Sequence, residues 1–109
     1  MKRYSLFTAL AFLTAAHASL ATELNAIEAV VQKYLDGTAQ GKPALVKEAF
    51  LPSLEVQWLG DKDELRRRPG PEYIDRIEEG KAVPRVGRIV SIDSTEKSAM
   101  VKVEIAWNS

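Results

Sequence analysis

The chain has 109 residues, and its 15 basic and 15 acidic side chains leave no net charge. That length holds one small domain, which buries a smaller share of its surface than a large one. The balance lacks the basic surface that nucleic acid demands, so no nucleic-acid partner is expected.

The N-terminus reads as a secretory signal. Met1-Lys2-Arg3 is a positively charged start, Leu6 to Ala16 is an uncharged run rich in Leu, Phe and Ala, and small residues flank the cleavage points after Ala18 and Ala21. The run is too short to span a bilayer, which takes about 20 residues as a helix. The expected organisation is a signal peptide over 1–21 and a single domain over 22–109, periplasmic or secreted, with no membrane span after cleavage. Cleavage after Ala21 is favoured over Ala18, because Thr22 then opens the next helix. Losing Lys2 and Arg3 leaves 13 basic against 15 acidic residues, a net charge of −2.

There is no cysteine, and the lone histidine, His17, lies in the signal. The mature chain is therefore without disulfides, Cys–His or Ser–His–Asp catalysis, histidine bases and the usual zinc sites. No metal or cofactor is expected.

Residues 22–36 read as an amphipathic helix. Leu24, Ile27, Val30, Val31, Tyr34 and Leu35 recur at helical spacing, Thr22 suits the N-cap, and Gly37 suits the C-terminal stop. Pro43 opens a second helix with Leu45, Val46, Ala49 and Phe50 on its apolar side, and Pro52 closes it. Leu54 to Trp58 alternates as a half-buried strand with Leu54, Val56 and Trp58 inward. Gly60 to Asp63 is a turn. Its Asp61, Asp63 and Glu64 lack the ligand pattern of a calcium loop. Glu64 to Arg68 is a short partner strand, and its three arginines make a solvated charged edge that discourages strand addition.

A third helix is predicted from about Pro71 to Glu79, with Tyr73, Ile74 and Ile77 inward and Gly80 past its end. Residues 86–93 and 98–107 then form a hairpin around a polar turn at Asp93 to Lys97. Val86, Arg88, Val90 and Ile92 share one side of its first strand. Ala99, Val101, Val103, Ile105 and Trp107 share one side of the second. Helices and antiparallel strands segregate along the chain, so the class is α+β.

The succession Ala29-Val30-Val31-Gln32-Lys33-Tyr34-Leu35-Asp36-Gly37, Ala44 to Pro52, Pro71 to Ile77 and Ile89 to Asp93 resembles the nuclear transport factor 2-like superfamily. Its nearest branch is the "putative lumazine-binding", or SnoaL-like, group. The resemblance covers about Ile27 to Ile105 and implies three helices against a strongly curved antiparallel sheet, in a cystatin-like cone. Members of that fold continue past Trp107 with a hairpin that completes the sheet, whereas this chain stops at Ser109. The strand 98–107 is then an apolar edge, and pairing with a second copy as a homodimer is the expected remedy.

Tyr34 is the sharpest catalytic candidate. Val30 to Tyr34 resembles the first-helix segment of ketosteroid isomerases, which implies a tyrosine hydroxyl donating to a developing oxyanion. The general base of that mechanism would fall near Trp58, while Glu55 lies an odd offset away and points to the other face. Tyr34, Val56, Trp58, Tyr73 and Trp107 are also candidates to line a pocket for a small apolar or aromatic ligand. Three functions follow. The first is an exported ligand-binding or dimerisation module without a complete catalytic set. The second is an isomerase- or dehydratase-like enzyme using Tyr34 with Glu55 or Asp75. The third is a truncated remnant without independent function.

Overall fold

A computed structural model of the chain describes residues 2–107, with side chains from Leu20 onward. The order is α1 (Lys2–Gln40), α2 (Pro43–Ala49), β1 (Glu55–Leu59), β2 (Leu65–Pro69), α3 (Gly70–Asp75), β3 (Arg85–Ser94) and β4 (Ala99–Trp107). This is the α+β order that the sequence predicts. Among the described residues, no helix is long and apolar enough to cross a membrane.

Helix α1 differs at both ends from its predicted bounds. It passes through Thr22, which therefore stands inside the helix in the full chain. It also passes through Gly37 and ends at Gln40, where Gly41 takes a φ of +66° and the Lys42 N–H donates to the Gly37 carbonyl at 2.8 Å. That is a glycine-closed helix end placed one turn later than expected. Gly37 serves contact instead: a Cβ there would lie 2.5 Å from Val46 Cγ2. Its bare surface lets α2 settle against α1, and Val46 is fully buried. Leu35, Thr38 and Val46 are the most deeply buried side chains described, so the centre of the domain is the α1–α2 contact.

The strands form two separate antiparallel hairpins rather than one continuous sheet, and no strand among the described residues joins them. In the first, Val56 pairs with Arg68 and Trp58 with Arg66, so Val56, Trp58 and these two arginines share a face. Residues directly opposite on paired strands point to the same side. In the second hairpin the ladder slips between Ile89 and Ser91. The bulge at Val90 splits the predicted side of β3: Val86, Arg88 and Val90 face out, whereas Ile92, beyond the slip, is half-buried. Arg85, Gly87 and Ile89 turn inward, while Val86 and Val90 are exposed. A bulge inserts one residue, and one residue changes the face. Gly87 fits that inward row because Leu35 of α1 lies against it; a Cβ there would meet Leu35 Cδ2 at 2.5 Å.

Helix α3 stops at Asp75, four residues short of the expected end, and Ile77 continues only as a turn donating to Ile74 at 3.0 Å. The loop that follows is tied to the end of α1. Gly80 N–H donates to the Gly41 carbonyl and Val83 N–H to the Ala39 carbonyl, both at 2.8 Å.

Candidate functional site

The ends of α1, α3 and both hairpins converge on a half-open cavity of about 280 Å³. Ile77, Val83 and Trp107 give it apolar wall, and Thr38 and Tyr73 give it hydroxyls. Arg68, Arg76, Lys81 and Arg85 give it cations, against the single acid Glu78.

Each side chain is placed by local structure. Tyr73 stands on the inner side of α3 and Thr38 on the last turn of α1, where its Oγ1 donates to the backbone carbonyls of Tyr34 (2.9 Å) or Leu35 (3.1 Å). Arg85 is the first residue of β3 and pairs with Trp107, the last described residue of β4. The guanidinium of Arg85 lies over two rings, Trp107 at 5.3 Å and Tyr34 at 5.8 Å. Both fall within cation–π reach. Its Nη2 is buried and has no hydrogen-bond partner among the described residues.

Behind the cavity wall, Tyr34, Phe50 and Tyr73 form a ring cluster with centroids 5.8–6.5 Å apart. Burial, together with the neighbouring Tyr34 hydroxyl, pushes the Tyr73 phenol up to about 12, an effect that the Arg85 cation partly opposes. Tyr73 is therefore a neutral hydroxyl, able to donate, at any physiological pH.

Of the residues singled out from sequence, Tyr73 and Trp107 line the cavity. Tyr34 is one ring behind it. Val56 and Trp58 are half-buried on the inner face of β1, and Trp58 touches the site only through Arg68, whose guanidinium lies 5.0 Å over its ring. Trp107, predicted to point into the core, is 66% exposed and forms a rim instead. The three arginines of β2 divide as well. Arg66 and Arg67 are the solvated edge expected, whereas Arg68 is half-buried and reaches the cavity.

The carboxylates proposed to work with Tyr34 lie elsewhere. Glu55 is exposed on the other face of β1, accepting from Gln57 Nε2 at 2.7 Å and facing Arg67 at 3.8 Å. Asp75 is exposed at the end of α3. The charged group beside the Tyr34 ring is the Arg85 cation. Among the described residues, no three His, Cys, Asp or Glu side chains are placed to hold a metal ion.

Sequence reasoning missed Arg85, Thr38, Arg76 and Lys81. The signal for Arg85 was its position two residues before Gly87, on the face that α1 presses against. Reading it required knowing that the ladder slips at Val90.

No curated protein matches the chain significantly in sequence. Among solved structures it is similar to an NTF2-like protein of unknown function from Shewanella baltica OS155, with a TM-score of 0.68 and 20% identity over 80% of this chain and 72% of that one. At that identity the likeness concerns the fold. Residues 22–109 match the family described as "Putative lumazine-binding". With its helices and hairpins in the order of the nuclear transport factor 2-like fold, the chain belongs to that family.

Proposed function

We propose that this chain is an exported small-ligand-binding module whose ligand sits in the cavity between Tyr73, Trp107 and Arg85. The observation that carries the reading is the cavity itself: concave, with an apolar wall of Ile77, Val83 and Trp107 facing hydroxyls and a cluster of cations. A concave site that joins apolar wall to convergent polar groups suits a small molecule, and this one is richer in charge than most. Its 280 Å³ lies just under the roughly 300–1,000 Å³ typical of such sites, which favours a compact ligand. The family description makes lumazine the natural first compound. Titration with lumazine and a set of small aromatic compounds, followed by the indole N–H resonances of Trp58 and Trp107, tests the reading. Saturable shifts at Trp107 support it, and resonances unmoved by every compound refute it.

The module proposal includes a homodimer. β4 pairs with β3 alone among the described residues, and Met100 is 77% exposed beside that free edge. An open ladder with apolar flanks invites a second strand. Light scattering over a dilution series should give twice the chain mass; a monomer at all concentrations refutes the pairing. Catalysis by Tyr34 is the weaker reading, because the placed partner of its ring is a cation and not a base. A cooperative unfolding transition would set aside the remnant reading.

A further inference from the structure

The cations of the cavity are not equally provided for. Arg76 is paired with Glu72 at 3.5 Å and Lys81 with Glu78 at 3.3 Å. Neither Arg68 nor Arg85 has a carboxylate partner among the described residues. Arg68 is held by the Trp58 ring and Arg85 by the rings of Tyr34 and Trp107. Aromatic faces satisfy the flat side of a guanidinium and leave its in-plane N–H groups available to donate. The buried Nη2 of Arg85 is such an unused donor. A buried donor left unpaired is costly, and a protein retains one where something else supplies the acceptor. The Tyr73 hydroxyl lines the same cavity as a second donor, a neutral one beside the Arg85 cation.

We infer that the cavity selects a small aromatic oxyanion: a planar ring bearing a carboxylate or phosphate, with the acidic group on Arg85 and the ring against Trp107. Arg68 adds long-range attraction from the opposite hairpin. The inference rests on the ligand-binding reading above and adds the sign of the ligand's charge. The guanidinium fork suits both oxyanions. The apolar wall of Ile77, Val83 and Trp107 supplies the surface for a ring that a bare inorganic anion would not use.

The test uses four compounds of similar size on the full chain: benzoate, phenyl phosphate, neutral benzamide and cationic benzamidinium. Affinity is read from the Trp107 indole N–H resonance. Benzoate or phenyl phosphate should bind at least about tenfold more tightly than benzamide, the worth of one hydrogen bond to a charged group. Whichever of the two binds better identifies the oxyanion. Benzamidinium should bind most weakly. Arg85→Met should erase the preference for the anions while leaving the far-ultraviolet circular dichroism unchanged. Arg68→Gln should reduce that preference about threefold and make it less sensitive to salt. Should Arg85→Met fail to fold, the ranking of the four compounds on the unaltered chain still decides. Benzamide binding as well as benzoate would leave a ligand pocket and overturn the oxyanion. A cavity that responds to none of the four would overturn the oxyanion, and lumazine would then decide whether the pocket reading survives.

Discussion

Gly37→Ala is the substitution for which two ordinary rules disagree. Alanine in a helix interior is favoured over glycine by about 1 kcal/mol, so local propensity alone forecasts a gain. The structure forecasts a loss. The new Cβ would lie 2.5 Å from Val46 Cγ2 and 3.1 Å from both the Lys42 carbonyl oxygen and the Val46 nitrogen. Two of these three neighbours are backbone, so relief requires moving α2 bodily and not merely turning a side chain. Overpacking costs roughly 1–3 kcal/mol, and backbone crowding belongs at the upper end. Subtracting the propensity gain leaves a net loss of about 2 kcal/mol, or roughly 10 °C in Tm for a domain of this size. Urea unfolding followed by circular dichroism measures it. Val46→Ala, at a fully buried site, should cost about 2 kcal/mol by itself. The double variant should lose about 1 kcal/mol less than the two single losses combined, because the methyl added to Gly37 occupies space that the shortened Val46 vacates. A Gly37→Ala chain as stable as the original, or strict additivity in the double variant, would refute the close α1–α2 contact.

Arg85→Met exchanges a half-buried guanidinium, whose buried Nη2 has no hydrogen-bond partner among the described residues, for an apolar chain of similar length between the same rings. It should leave stability unchanged or raise it, since buried charges without partners are a liability; a thermal scan showing a loss of more than about 1 kcal/mol would make Arg85 a structural residue. Tyr73 gives a pH signature. Its folded pKa is raised from 10.0 to about 12, so the native state keeps a proton that the unfolded chain releases. Its contribution is therefore constant below pH 10 and is lost as pH rises from 10 toward 12. Tyr73→Phe should flatten the stability profile in that window, and an unchanged profile would refute the assignment. Mass spectrometry of the chain exported by a bacterial host should give an N-terminus at Thr22; an intact N-terminus would refute signal cleavage.

The elements themselves were legible because each is announced locally. Pro43 and Gly41 bracket the start of α2, and the alternation of Val101, Val103 and Ile105 survives intact in β4. The site was legible only in part, and its two halves failed for different reasons. Tyr73 and Trp107 stood out as large aromatics, although the exposure of Trp107 could not be read from its alternation. Arg85 was hidden by a register slip at Val90, which carries no glycine or proline to announce it. Gly37 was misread for a related reason. A glycine that ends a helix and a glycine that admits a neighbouring helix look alike until that neighbour is placed. Arg68 looked like one of three surface charges, and only its pairing opposite Val56 puts it on the inner face.

Among the described residues the two hairpins share no ladder, and each leans on a different helix, the first on α3 and the second on α1. The cavity lies across the seam between them, with Arg68 on one bank and Arg85 and Trp107 on the other. In a closed barrel the width of such a gap is fixed by hydrogen bonds running around the wall. Here it is set by how two helices happen to rest. An occupant that touched both banks would therefore act as a clasp. It would slow amide exchange in both hairpins at once, including strands it never meets, and the protein would be at its most complete only when loaded.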